Sequence, residues 1–167
     1  MKILVFSDSH GEVANMERAL EMHPEADYVF HLGDGAREFE RLAAAHPEKS
    51  FTGVNGNFED FVSYSGVKSA TLEIEGTRFF LCHGHRFGVK GSTQRLEYYA
   101  AENGIDAALF GHTHVPYEQY VNDIGDRPFY IFNPGSISRP TYMYPSYGLI
   151  EKRGNDLLFS VAHLDGR

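Results

Sequence analysis

The sequence has a single cysteine, Cys82, and no tryptophan. A lone cysteine excludes an intrachain disulfide framework, and its place inside an apolar run reads as a small buried hydrophobe. No stretch approaches the roughly 20 apolar residues of a membrane-spanning helix, so no membrane partner is expected. Met1-Lys2 leads into a four-residue apolar run and then polar residues, which is not a secretory pattern. The expected location is the cytoplasm. Basic blocks are missing as well: the formal net charge is −8, and non-specific binding to nucleic-acid phosphates needs a basic face. A Gly-rich P-loop, a dinucleotide fingerprint and a serine-nucleophile elbow are also absent.

What is present fits an ordinary globular chain. Of 167 residues, 42% are apolar and 23% charged, which suits one domain over residues 1–167 with a sizeable core. The 17 glycines point to many tight turns rather than a helical bundle. Ile3-Leu4-Val5-Phe6 reads as a buried strand, followed by Val13, Met16, Ala19 and Leu20 at helical spacing before Pro24. Tyr28-Val29-Phe30 is a second strand, Ala36 to Ala45 a helix, and Phe51 to Val54 a third strand. This β-α-β-α-β rhythm predicts parallel strands with helical crossovers.

The second half changes character. Ala70–Ile74 and Arg78–Leu81 flank a hairpin turn at Glu75-Gly76-Thr77. A helix is expected from about Ser92 to Glu102, stopped near Asn103-Gly104. Further strands fall at Ala107–Phe110, Tyr117–Val121, Phe129–Phe132, Tyr147–Glu151 and Leu157–Val161. The fold class is α/β, with either one mixed sheet or two sheets packed together.

Five apolar runs end in chemically similar residues. These are Ser7-Asp8-Ser9-His10, His31-Leu32-Gly33-Asp34, Asn55-Gly56-Asn57, His83-Gly84-His85 and Gly111-His112-Thr113-His114. The carboxyl ends of parallel strands meet along one sheet edge, so these groups can converge on one crevice. Imidazoles with carboxylate and amide oxygens suit Mn²⁺, Fe²⁺, Ni²⁺ or Zn²⁺. The absence of a thiolate cluster argues against a structural zinc site. Taken singly, Asp-x-His, Gly-Asp and Gly-Asn occur in ordinary turns, and His-x-His can be structural. Five such groups in this order, each after a strand, do not read as turns.

The set DSH, GD, GN, HGH and GHTH resembles the calcineurin-like metallophosphoesterase superfamily, and within it the compact bacterial and archaeal phosphodiesterase branch. The likeness runs from Ile3 to about Pro140 and includes Asn133-Pro134-Gly135-Ser136. It implies a four-layer α/β/β/α sandwich of two facing mixed sheets. It also implies two divalent ions, Mn²⁺ being the expected metal. Asp8, His10 and His114 would hold the first, Asn57, His83 and His112 the second, and Asp34 would bridge both. The implied reaction is hydrolysis of a small phosphodiester by a metal-bridging hydroxide. The two ions and the two carboxylates leave a positive site despite the acidic chain.

One position departs from the pattern. Many relatives carry histidine after the Gly-Asn, where this chain has Phe58, which cannot donate a proton. His85 is the nearest candidate for an auxiliary catalytic or substrate-binding role, against a purely structural one. Asn57 could also touch substrate. Asn55, His31 and Arg139 each have a site reading and a blander one: turn, polar filler and solvated surface respectively. His23, His46 and His163 read as surface. The aromatics Phe58, Phe61, Tyr64, Phe87, Tyr98, Tyr99, Tyr142, Tyr144 and Tyr147 suggest core packing or a subunit contact, so a homodimer is reasonable. Tyr142-Met143-Tyr144-Pro145 reads as an exposed loop beside the crevice. A competing reading is a protein-binding scaffold, because the superfamily includes a trafficking-complex subunit with a degraded metal site. Such degradation would show as missing ligands, and none of the seven is missing.

Overall fold

The computed structural model describes residues 1–141 and 144–165. The first half runs β1 (Lys2–Phe6), α1 (Ala14–Met22), β2 (Tyr28–His31), α2 (Ala36–Ala45), β3 (Ser50–Gly53) and α3 (Asn57–Phe61). The second runs β4 (Ser69–Ile74), β5 (Thr77–Cys82), α4 (Gln94–Glu102), β6 (Ala107–Leu109), β7 (Pro116–Val121), β8 (Phe129–Pro134), β9 (Ser146–Arg153) and β10 (Asp156–His163). Two five-stranded sheets result, in the orders β10-β9-β1-β2-β3 and β4-β5-β6-β8-β7. Within them β1, β2 and β3 are parallel to one another, as are β5, β6 and β8. The α/β, two-sheet architecture implied by the family resemblance is the observed one.

Strand alternation creates the layers, because successive side chains point to opposite faces. On β1, Ile3 and Val5 face the space between the sheets, with Phe30, Leu32, Phe79, Leu81, Leu109 and Phe132. Leu4 and Phe6 face the other way, onto Met16, Ala19 and Leu20 of α1 and Phe39 and Leu42 of α2. On the outer face of the second sheet, Phe80, Cys82, Ala108 and Phe110 meet Leu96 and Ala100 of α4. Burial on both faces explains why β1 and β6 are uninterrupted apolar runs rather than alternating ones.

Some elements differ from the sequence expectation. The α4 helix begins at Gln94 rather than near Ser92; the Ser92 hydroxyl accepts from the Gln94 N–H at 3.2 Å instead of entering the helix. Helix α3, only five residues long, and a one-turn 3₁₀ helix at His85–Phe87 are too short to show a periodic pattern. His23 is not plain surface: its Nε2 lies 3.0 Å from the hydroxyl of the fully buried Tyr147. His46 Nε2 is 2.7 Å from a Glu17 carboxylate oxygen, tying the ends of two helices together. Of the aromatics, Tyr147 is core, whereas Phe58, Phe61, Tyr98 and Tyr144 are exposed. Tyr142 and Met143, in the loop expected beside the crevice, lie outside the described residues. Among the described residues no helix is long and apolar enough to cross a membrane.

The two sheets are held face to face by contacts such as Phe30 edge-on to Phe79, with ring centroids 5.8 Å apart. Phe30 is completely buried, so Phe30→Ala opens a cavity between two sheets that cannot easily close. It should cost about 3–5 kcal/mol, read as a lower urea midpoint with the slope unchanged.

Candidate metal centre

Every polar group singled out at a strand end lies on the edge where the parallel strands finish. Asp8 and His10 follow β1, Asp34 follows β2, Asn57 opens α3 beyond β3, His83 follows β5, and His112 and His114 follow β6. Small residues bring these loops together. A Cβ on Gly56 would lie 2.1 Å from Asp34 Oδ1, and one on Gly111 would lie 1.9 Å from Ser7 Oγ and 2.9 Å from Asp8 Oδ2. Neither glycine can be replaced without pushing the loops apart. The same crowding bends the backbone at the functional residues themselves. Asp8, His10, Asp34, His112 and His114 all have positive φ, between 43° and 69°. Left-handed backbone at a non-glycine residue costs of order 1–3 kcal/mol and persists only where its surroundings enforce it.

The side chains meet in two adjoining groups. In one, Asp8 Oδ1 is 3.1 Å from His114 Nε2 and 4.0 Å from His10 Nε2, and the two histidine nitrogens are 3.4 Å apart. In the other, His83 Nε2 is 3.1 Å from Asn57 Oδ1 and 3.5 Å from Asp34 Oδ2. The His112 ring centroid is 5.0 Å from that of His83. Asp34 Oδ2 also lies 4.0 Å from His10 Nε2, which puts it between the groups. The other Asp34 oxygen accepts the Phe58 N–H at 2.8 Å.

Hydrogen bonds behind the histidines decide what faces the centre. His83 Nδ1 is 2.7 Å from the Leu32 carbonyl, and His114 Nδ1 is 2.6 Å from the Arg139 carbonyl. A carbonyl oxygen can only accept, so each Nδ1 carries the proton. In the neutral ring Nε2 is then a bare lone pair. His83 Nε2 therefore points a lone pair at the lone pairs of Asn57, Asp34 and Asp8. Asp8 Oδ1 is itself buried without a hydrogen-bond partner. Buried acceptors converging without donors are unfavourable unless a cation lies among them. The spacing fits as well. Ligand atoms about 2.0–2.2 Å from a common divalent ion lie about 3.0–3.5 Å from each other at octahedral or tetrahedral angles. The closest separations fall in that range, so the residues fit a metal centre.

The protonation states agree. Burial holds the His10 and His112 rings below their ordinary value, His112 down to about 4, which keeps both neutral and able to donate a lone pair. Burial also pushes the Asp8 carboxyl up, but His114, His83 and the Ser7 hydroxyl outweigh it and hold the group low and ionised. The neighbouring Asp8 raises His114.

Residues without an obvious motif support this arrangement. The buried Glu59 accepts four backbone N–H groups, from Asp34, Gly35, Ala36 and Gly56, at 2.7–3.1 Å. One carboxylate thus ties the loop after β2 to the start of α3. Its one sequence signal is the spacing Gly56-x-x-Glu59, half of a capping box. Asp8 is fixed from behind by Ser7 Oγ at 2.6 Å and the His112 N–H at 3.0 Å. Ser136 and Ser138 both donate to the Asp8 carbonyl. Asn133 binds Gly111 O and Thr113 Oγ1, fixing the loop that carries His112 and His114.

The remaining sequence candidates separate clearly. His31 is fully buried and, by burial, held down to about 4. Its ring accepts the Gly33 N–H and contacts Ser9 Oγ at 2.9 Å, so it braces the loops behind the centre. Asn55 donates to the Tyr64 carbonyl, a turn role. Arg139 lines the open crevice beside His10 and Asp34. His85 Nε2 is 3.2 Å from Asp60 Oδ2, its Nδ1 is buried without a partner, and its ring stands 5.4 Å from His83. This placement suits steering the neighbouring ligand rings.

Comparison with known proteins agrees with this geometry. Residues 1–155 match the calcineurin-like phosphoesterase superfamily domain. The chain is 33% identical to the probable metallophosphoesterase YsnB of Bacillus subtilis, over 84% of this chain and 77% of that protein. It is 29% identical to the phosphodiesterase YfcE of Escherichia coli K12, over 97% of this chain and 92% of YfcE. Vps29 of Chaetomium thermophilum shares the fold, with a TM-score of 0.77 at 19% identity over 100% of this chain and 89% of its own.

Glu59→Gln tests the scaffold of the centre. Each Glu59 oxygen accepts two N–H groups, so an amide nitrogen in either orientation faces two donors. The variant should lose about 2–3 kcal/mol at neutral pH by chemical denaturation. Burial raises the Glu59 carboxyl but its four N–H donors outweigh this and hold it below its ordinary 4.5. Its contribution is therefore complete above about pH 4.5 and is lost as pH falls through the lower folded-state value. The deficit of the variant should accordingly shrink in acid.

Proposed function

The chain belongs to the calcineurin-like phosphoesterase superfamily, and from that premise we propose that it is a metal-dependent phosphodiesterase acting in the cytoplasm on a small phosphodiester. The observation that carries this reading is the convergence of Asp8, whose Oδ1 is buried without a hydrogen-bond partner, with His83, His114, Asp34 and Asn57 on one crevice. Divalent ions held there, two being the expected number and Mn²⁺ the expected metal, would polarise the phosphate and supply a water of lowered pKa. Asp8, His10 and His114 are the proposed holders of one ion, and Asn57, His83 and His112 of the other. Asp34 is the proposed bridge: one oxygen is fixed by the Phe58 N–H and the other lies between the two groups.

The chain's own residues orient rather than transfer protons. His83 and His114 turn Nδ1 to backbone carbonyls, which directs Nε2 into the centre. His85 is tethered to Asp60, whose carboxyl is held at about 2 chiefly by Arg86. Its proposed auxiliary role is to keep the His83 and His112 rings in place and to neighbour the substrate. With Phe58 where a proton donor could stand, esters with acidic alcohols should turn over well and alkyl phosphates slowly. A protein-binding scaffold on the same fold would tolerate gaps among the seven positions; here each carries a donor side chain.

Metal-stripped protein titrated with Mn²⁺, Ni²⁺, Zn²⁺ and Mg²⁺ should regain cleavage of bis-p-nitrophenyl phosphate, more strongly than of p-nitrophenyl phosphate. Asp34→Asn should lose at least about 100-fold in turnover and its tighter metal retention. Undiminished activity in Asp34→Asn, or folded wild type silent with every metal, would sink the assignment.

A further inference from the structure

The crevice that opens beside the centre continues past His10, Asp34 and Asn57 to a second wall, enclosing about 470 Å³. That is within the roughly 300–1,000 Å³ of small-molecule sites. Phe58 and Val62 line this wall, four residues apart and so on one side of the α3 turn. Tyr64 lines it as well and is held firmly. Its hydroxyl donates to Glu40 at 2.6 Å, and Arg37 lies 5.7 Å over its ring.

The fold does not account for the Phe58 side chain. Its backbone N–H positions Asp34, a task any residue but proline could perform. Phe58 is 54% exposed and Val62 is 45% exposed. Apolar surface of this kind at the mouth of a polar site suits a ligand that covers it. Two carboxylates beside this wall are already engaged. Glu38 binds Ser9 Oγ and the Gly11 N–H, and Glu59 binds its four backbone donors.

We propose that this wall is a ring-binding subsite, in which Phe58, with Val62 and Tyr64, takes a planar aromatic group carried by the alcohol of the phosphodiester at the centre. The proposal rests on the phosphoesterase reading and narrows its substrate class to phosphodiesters with an aryl or nucleoside alcohol. Asn57 and Phe58 both line the crevice and are adjacent in the chain, which sets this wall directly beside the centre. Phe58 is here a specificity-determining residue; it touches the alcohol part of the substrate and moves no proton.

Binding tests this without turnover. Mn²⁺-loaded full-length protein is titrated calorimetrically with methylphosphonate, phenylphosphonate and thymidine 5′-monophosphate. Wild type should bind phenylphosphonate about tenfold more tightly than methylphosphonate, equivalent to about 1.4 kcal/mol. In Phe58→Ala that preference should fall to within about twofold, with methylphosphonate affinity unchanged. Phe61→Ala, which alters an exposed aromatic outside the crevice lining, should keep the preference and so controls for a general effect on α3. A Phe58-dependent gain for thymidine monophosphate identifies the ring as a nucleobase; a gain for phenylphosphonate alone identifies a simple aryl ester. Equal affinities in wild type, or a preference that survives in Phe58→Ala, overturn the subsite alone. Absence of any metal-dependent phosphonate binding overturns the phosphoesterase reading and the subsite with it.

Discussion

Lone pairs repel, and the centre of this molecule directs several of them at one another. His83 has its Nδ1 proton on the Leu32 carbonyl, so in the neutral ring its Nε2 meets the oxygens of Asp34 and Asn57 acceptor against acceptor, beside an Asp8 Oδ1 that is buried without a hydrogen-bond partner. A metal ion turns that repulsion into coordination. Much of the surrounding structure serves to hold the arrangement. Gly56 and Gly111 let the loops touch, Glu59 ties two of them through their N–H groups, and Ser136, Ser138 and Asn133 fix the others. The positive φ at five of the seven converging residues is the local cost of aiming side chains from separate strands at one point.

The centre depends on the double-sheet architecture. Asp8, Asp34 and Asn57 follow strands of one sheet, whereas His83, His112 and His114 follow strands of the other. Neither sheet alone carries a full set of donors. The apolar layer between them, with Phe30 against Phe79 and Val5 near Leu109 and Phe132, therefore sets the distance across which the two half-sites face each other. In this protein core packing and the geometry of the centre are one constraint.

This explains what could be read from sequence. Buried parallel strands are uninterrupted apolar runs, and the five polar groups stand immediately after such runs, so both the strands and the site residues are visible in Ile3–His10 or Ala107–His114. The two-sheet arrangement was legible only through the family resemblance, since strand periodicity does not say which strands share a sheet. Glu59 was legible only as half of a capping box with Gly56: a carboxylate in a short polar stretch otherwise looks like surface, and its other three partners come from a loop distant in sequence. Helix α3 was missed for the same reason, being shorter than two helical turns. The tether of His85 to Asp60 and the brace of His31 on Ser9 likewise appear only when the chain is folded.

The central claim is that the seven side chains hold two ions rather than one or none. Anomalous X-ray diffraction from crystals of the full-length protein grown with Mn²⁺ tests it most directly. Two anomalous peaks are expected, one against Asp8, His10 and His114 and one against Asn57, His83 and His112, with Asp34 touching both. A single peak at this edge, or peaks elsewhere with the seven side chains hydrogen-bonded only to solvent, would contradict the account.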